Sequence, residues 1–310
     1  MRFYAAKEIE AALDYPRLIA ALREAFATHD EPMPVRGAFD VGTPAAPGHL
    51  LTMPAWKRGE AIGTKLVTVF PNNAAHGLGA VGSLYVLFDG VTGQPRAVME
   101  GDALTNRRTA AASALAASWL ARPDSRTLLI VGTGHVAAQL AAAHRTVRPI
   151  ERVLVWGRRR DKAEALAAAI GAGGLEARAV DDIAAALGEA DIVSCATTST
   201  APLVKGAEVR PGTHVDLVGA FNPAMRESDD ALVRRAEVFV DTRAGALAEA
   251  GDLLQPLKAG LWSAEALRAD LRDLALGRHP GRRTAEEVTL FKSVGAALED
   301  LAAALLVVGS

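Results

Sequence analysis

Cysteine is almost missing from this chain: its 310 residues contain one, Cys195. That excludes an intrachain disulfide and suits a reducing, cytoplasmic setting. Aromatic residues are scarce, at 5%. With abundant alanine, this favours close-packed helices with small contact residues, set against a sheet. Neither sign of charge dominates, since 34 Lys and Arg face 36 Asp and Glu for a formal net charge of -2. No global electrostatic reason therefore exists for binding nucleic acid or an anionic membrane surface. No apolar run reaches the roughly 18 residues of a membrane span. The opening MRFYAAKEIEAAL lacks the basic and apolar regions of a secretory leader. Neither H-E-x-x-H nor C-x-x-C occurs, so no metal is expected. At roughly 150 residues per domain, the length suggests two domains.

What is present changes character along the chain. Ile9, Leu13, Leu18, Ile19, Leu22 and Phe26 fall at helical spacing and predict a helix over 7–29. Pro32, Pro34, Gly37 and Gly42 then interrupt regular structure. HLLTMPAW, IGTKLVTVF and SLYVLFD predict strands, VTGQP a turn, and 104–121 a helix. After Arg122, Pro123 and Asp124, short apolar runs (TLLIVG, RVLVWG, DIVSCAT, HVDLVGA, EVFVD) alternate with alanine-rich helices. That alternation predicts βαβ units and a parallel sheet covered on both faces. A last helix is expected at about 288–308. It is apolar around much of its circumference, so it needs packing on more than one side. Packing back on the N-terminal part would make that domain discontinuous. The expected class is α/β, with residues 1–121 and the C-terminal helix 288–310 forming an α+β domain around a Rossmann domain at 122–287.

LLIVGTGHVAAQL sets Gly132, Gly134 and Ala137 as G-x-G-x-x-A between a strand and a helix. The first glycine allows a tight turn, the second lets backbone approach a pyrophosphate, and the alanine lets the helix pack closely. The helix N-terminus supplies N–H groups and positive dipole. A glycine-rich turn without nucleotide is the alternative. The next strand ends at Gly157, where an NAD site would place Asp or Glu, and Arg158, Arg159 and Arg160 follow. Guanidinium groups suit a 2′-phosphate, which favours NADPH with NADH as the alternative. A solvated basic face is the other reading.

Lys65 lies in a strand too apolar for a casual surface lysine, so it must be paired or hold a depressed pKa. Arg108 opens an alanine-rich helical stretch, and Arg36 sits near a turn. Cations without local acid partners suggest an anionic substrate group such as a carboxylate.

These motifs together resemble the ornithine cyclodeaminase/μ-crystallin family over nearly the whole chain. The segments that carry the likeness are GTKLVTVFPNN, LFDGVTGQPRAVMEG, LTNRRTAAASALAA, VGTGHVA, VWGR, AGDLLQP and VTLFKSVGAALEDLAAA, in that order. The resemblance implies a substrate domain that also makes a homodimer, plus a Rossmann domain. It places Lys65 as the active-site lysine, Arg108 as the carboxylate-binding arginine and Arg36 as a second substrate arginine. The sequence departs from the cyclodeaminases at Phe221, where they carry an aspartate, and at Leu51 and Thr52, where a glutamate is missing. A benzyl group cannot accept an ammonium's hydrogen bonds, and burying an unpaired ammonium is costly. HVDLVGAFNPAMRE instead looks like the reductase branch, with Phe221 as an apolar wall for a ring substrate.

The expectation is therefore NAD(P)H-dependent reduction of Δ1-pyrroline-2-carboxylate, with Δ1-piperideine-2-carboxylate as a further candidate, to L-proline or L-pipecolate. Arg36, Lys65, Arg108 and Phe221 form the substrate set, and Lys65 or a bound water donates the proton. Asp216, His76 and His214 read more readily as structural. The cofactor set is Gly132, Gly134, His135, Val136, Arg158, Arg159, Thr197, Val218, Gly219 and Ser293. The alternatives are an ornithine cyclodeaminase, an alanine-type dehydrogenase and a non-catalytic NADPH-binding protein. The expected partners are a cyclic imino acid and a second copy of the chain, with no nucleic acid or membrane.

Overall fold

The computed structural model describes residues 1–309, and it comprises two compact units. Unit 1 is Met1–Arg108 with Ala296–Ser310, of which Ser310 lies outside the described residues. Unit 2 is Thr109–Gly295.

Unit 1 contains β1 (Arg2–Tyr4), α1 (Ala6–Ala12), α2 (Tyr15–Thr28), β2 (Gly37–Asp40), β3 (His49–Lys57), β4 (Ala61–Val69), β5 (Val81–Asp89), β6 (Pro95–Glu100), the start of α3 (Gly101–Leu120) and the final helix α11 (Ala297–Val308). The strands form one sheet in the order β1-β6-β5-β4-β3-β2. It is antiparallel except for the β1–β6 pair. Side chains alternate across β4, so Ala61, Gly63 and Lys65 point into the core while Ile62 and Leu66 stay exposed. The inner face meets α11, which also packs on α2. A helix covered on both sides must be apolar nearly all round. Leu298, Leu301, Ala302, Ala303, Ala304 and Val307 are all buried.

Unit 2 continues with β7 (Thr127–Val131), α4 (Ala137–Val147), β8 (Arg152–Trp156), α5 (Arg160–Ala172), β9 (Glu176–Ala179), α6 (Ile183–Glu189), β10 (Ile192–Cys195), β11 (His214–Leu217), α7 (Asp230–Arg235), β12 (Glu237–Val240), α8 (Arg243–Glu249), α9 (Gly251–Lys258), β13 (Leu267–Asp270), α10 (Leu271–Ala275) and β14 (Thr289–Lys292). Its eight strands are all parallel, in the order β13-β12-β14-β11-β10-β7-β8-β9. From β7 the chain winds first to β8 and β9, then returns to β10 on the other side. The strand order thus reverses between β7 and β10, the place where open α/β sheets take their ligands.

Three expectations are corrected. The helix read over 7–29 is two helices, because Asp14 caps the second, accepting from the Arg17 amide at 3.1 Å, with Pro16 in its first turn. The helix read over 288–308 begins only at Ala297, and Thr289–Lys292 is a strand between β11 and β12. The run Val288-Thr289-Leu290-Phe291 has strand character, and Gly295 at φ 88° breaks the chain before the helix. The units accordingly divide after Arg108 and after Gly295 rather than at 121 and 287. The second half of α3 belongs to unit 2, where Ser113 donates to Asp216 of β11 at 3.0 Å.

Candidate functional site

In unit 1, the inward alternation of β4 carries Lys65 into the core, opposite Met53 of β3 and Tyr85 of β5. Lys65 is only 3% exposed. An ammonium there requires partners, and α11 and α3 supply them. Its Nζ lies 3.0 Å from Oδ1 and 2.9 Å from Oδ2 of Asp300, and 3.4 Å from Thr105 Oγ1. Arg108 is also buried. It donates from Nε to Asp300 Oδ1 at 2.8 Å and from Nη1 to Glu299 Oε2 at 2.7 Å. Its Nη2 has no hydrogen bond to any described residue. Asp300 therefore holds the lysine and one edge of the guanidinium at once.

The charges act on one another. Burial lowers Lys65 to about 8, Arg108 and Arg36 push the same way, and Asp300 opposes them. Burial raises the Asp300 carboxyl, but Arg108 and Lys65 outweigh it and hold the group below its ordinary value. Tyr85 is pushed well above the ordinary phenol range by burial, reinforced by Asp300, and its hydroxyl finds no partner among the described residues. Gly63 makes room for that ring, because a Cβ there would lie 1.8 Å from the Tyr85 oxygen.

Lys65 and Arg108 thus meet on Asp300, and the charge of Arg36 is near enough to act on Lys65. No acid stands near Lys65 or Arg108 in sequence, and the fold brings Asp300 to both from the far end of the chain. Asp300 lies 192 residues from Arg108 and 235 from Lys65 in sequence, so no local pattern could pair them. The two acids sit side by side in the alanine- and leucine-rich run of α11, and a buried acid pair in an apolar helix was the signal available.

In unit 2, the residues read as cofactor-facing follow the carboxyl ends of the central strands. Gly132 adopts φ 123°, its amide donates to the Trp156 carbonyl at 2.8 Å, and a Cβ would lie 2.4 Å from the Ala196 carbonyl oxygen. Only glycine fits. A Cβ at Gly134, by contrast, would meet nothing within 4 Å. His135 is exposed, Val136 is half-buried, and no side chain caps α4. Open backbone at an uncapped helix N-terminus is a cradle for a pyrophosphate, so these residues fit a dinucleotide. Thr197 follows β10, Val218 and Gly219 follow β11, and Ser293 follows β14. The buried Asp241 fixes the last of these turns, accepting from Ser293 Oγ at 3.2 Å and from the Val294 and Gly295 amides at 2.7 Å each.

The basic cluster after β8 is not uniform. Arg159 pairs with Asp161, and Arg160 pairs with Glu164 and Asp181. Arg158 is exposed and carries no ion pair to a described residue. Gly157 packs on Thr133, since a Cβ there would lie 2.6 Å from Thr133 Cγ2. Phe221 is 41% exposed on the turn after β11. Asp216 is fully buried, accepting from Ser113 at 3.0 Å and from Ser194 at 2.5 Å, and His214 bonds Thr289 at 3.0 Å. These partners fit structural roles for both. No helix among the described residues is long and apolar enough to cross a membrane.

Comparison with known proteins places this geometry in context. The family model described as ornithine cyclodeaminase/mu-crystallin family matches residues 2–310. The chain is 48% identical over 257 residues to a Delta(1)-pyrroline-2-carboxylate reductase of Paracoccus denitrificans, covering 82% of this chain and 81% of that protein. Among solved structures it is similar to the Thermococcus litoralis Delta(1)-pyrroline-2-carboxylate reductase in complex with NADH and L-proline. The TM-score is 0.94 and the identity 34%, covering 99% of this chain and 96% of that one. An archaeal alanine dehydrogenase dimer with bound NAD gives a TM-score of 0.91 at 29% identity, covering 98% and 94%.

Proposed function

We propose that this chain, which belongs to the ornithine cyclodeaminase/mu-crystallin family, reduces a cyclic imino acid with NADPH. The substrate is Δ1-pyrroline-2-carboxylate, or its six-membered homologue, and the product is L-proline or L-pipecolate. The observation that carries this reading is the buried arrangement of Lys65 and Arg108 on Asp300. Arg108 is locked on two edges with Nη2 left over, so it binds the substrate carboxylate in a fixed direction. Arg36 assists it.

When bound, the reduced cofactor supplies the hydride that C2 of the imine accepts. Lys65 does the complementary work. Its ammonium, poised at about 8, gives a proton to the imine nitrogen and is left neutral beside Asp300. Fixing both partners before reaction lowers the barrier by several kcal/mol. Gly132, Gly134, His135 and Val136 cradle the pyrophosphate, and Thr197, Val218, Gly219 and Ser293 border the rest of the cofactor. Arg158 takes the 2′-phosphate with Arg159 beside it, which is the support for NADPH over NADH. Phe221 provides an apolar wall. Neither it nor Leu51 and Thr52 can accept a hydrogen bond from the second ammonium of ornithine through a carboxylate.

The exposed apolar residues Leu66 and Leu84 stand opposite each other on the outer face of the unit 1 sheet, with Ile62 on the same face of β4. A patch of this kind marks an interaction surface, and we assign it to a homodimer. The single cysteine suits a reducing cytoplasm. The test is Arg108→Ala. Turnover of the imine should fall at least 100-fold while NADPH binding is unchanged. Undiminished turnover would remove the assigned role.

A further inference from the structure

Four titratable side chains lie fully buried behind the turns after β10 and β11, and the reaction as described uses none of them: Glu227, Asp252, Lys292 and Cys195. Glu227 belongs to the segment between β11 and α7. Its Oε1 accepts from the Thr197 amide at 2.7 Å and from Thr197 Oγ1 at 2.9 Å. Its Oε2 accepts from the Gly219 amide at 2.7 Å. One carboxylate therefore ties the turn after β10 to the turn after β11. The fit is tight, because a Cβ on Gly219 would lie 1.9 Å from the Thr197 carbonyl oxygen and 2.4 Å from Glu227 Oε1. The clamp is itself clamped: Asp252 Oδ1 accepts from the Glu227 and Ser228 amides at 2.8 Å each and from Ser228 Oγ at 3.1 Å.

In a dinucleotide fold, the first βα turn takes the pyrophosphate and the strands beyond the switch point carry the second mononucleotide. Here that second half is bordered by Thr197 and Gly219, the two residues that Glu227 joins. We infer that Glu227 is a positioning residue for the nicotinamide half of the cofactor: its carboxylate holds the two turns as one wall, and a proton on it loosens that wall. This inference rests on the cofactor reading above.

The surroundings favour such a proton. Lys292 from β14 stands 3.4 Å from Asp252 Oδ2 and makes no hydrogen bond among the described residues, and its charge also acts on Glu227. Burial pushes Glu227 up to about 7, with Asp252 adding to the rise and Lys292 opposing it. Cys195 from β10 is pushed well above its ordinary value by burial and by Glu227, so it remains a thiol and adds no charge. A protonated carboxyl turns one of its oxygens from acceptor to donor, and an amide of Thr197 or Gly219 then loses its partner.

The test is the dissociation constant of NADH, followed by its fluorescence, for the wild type and Glu227→Gln between pH 5.5 and 8.5. NADH is used because the 2′-phosphate of NADPH has its own proton near pH 6, as phosphate monoesters do. Wild-type affinity should weaken as pH falls below about 7, approaching tenfold per pH unit. The variant, whose amide opposes one of the two turn amides, should bind at least tenfold more weakly at pH 8 and lose the acid limb. A merely structural Glu227 would lower thermal stability and leave the pH profile in place. Wild-type affinity that is flat across the range overturns the inference, as does a variant that binds like the wild type. If the variant does not fold, the wild-type titration alone decides. A wild type that binds no NADH at any pH removes the cofactor reading, and the inference with it.

Discussion

Asp300→Asn removes one charge and almost no volume from the centre of the unit 1 cluster. An ammonium 2.9 Å from a carboxylate gains about 6 kcal/mol at an effective dielectric near 20. The Arg108 guanidinium shares the same carboxylate, so about half of that, about 3 kcal/mol, is assigned to Lys65. This corresponds to roughly a hundredfold in proton affinity. Lys65 stands at about 8 in the wild type, and losing that support brings it to about 6. The ammonium form at pH 7 then drops from about nine-tenths of the protein to about one-tenth. If Lys65 is the proton donor, kcat/KM for the imine falls about tenfold at pH 7, and its descending limb moves from near pH 8 to near pH 6. Arg108 keeps its bond to Glu299, so the substrate carboxylate still has an anchor. The assay is initial-rate NADPH oxidation with Δ1-pyrroline-2-carboxylate from pH 5 to 9.5. Thermal unfolding run alongside separates a folded variant from one lost to the unpaired buried cations. A folded Asp300→Asn protein whose limb stays near pH 8 would refute the role of Lys65.

Two other perturbations address the remaining assignments. Arg158→Ala should weaken NADPH binding about tenfold, the scale of one lost charge-assisted contact, and leave NADH unchanged, as read by parallel titrations; an equal loss for both cofactors would mean that this arginine does not contact the 2′-phosphate. Leu66→Asp, alone or with Ile62→Asp, places charge on the outer face of the unit 1 sheet and should leave a monomer by light scattering where the wild type runs as the proposed dimer. A variant that remains dimeric would place the interface elsewhere.

The sequence was most legible where function depends on local pattern. The glycines at 132 and 134, the alternation that turns Lys65 inward, and the run of strands at 127–131, 152–156, 192–195 and 214–217 all follow from short-range spacing. It was least legible where a charge is satisfied from far along the chain. Lys65 demanded a partner, but Asp300 is 235 residues away. The segment Met225-Arg226-Glu227-Ser228-Asp229 has the composition of a solvated loop, yet Glu227 and Ser228 are fully buried because Asp252 satisfies their amides. Lys292 was open to the same reasoning as Lys65, since both interrupt apolar strands. It was concealed because the segment reads on smoothly into the helix that follows. Asp161 shows the limit in the other direction, since three consecutive arginines look equivalent until a neighbouring acid occupies one of them.

Reduction of a cyclic imine and deamination of ornithine leave different products, so one experiment separates them. The direct measurement supplies Δ1-pyrroline-2-carboxylate with NADPH in one reaction and ornithine with NAD in another, then follows cofactor oxidation, L-proline and ammonia. A reductase forms L-proline in equal amount to the NADPH consumed and releases no ammonia from ornithine. Ammonia and proline from ornithine, with no oxidation of NADPH by the imine, would contradict the proposed reduction.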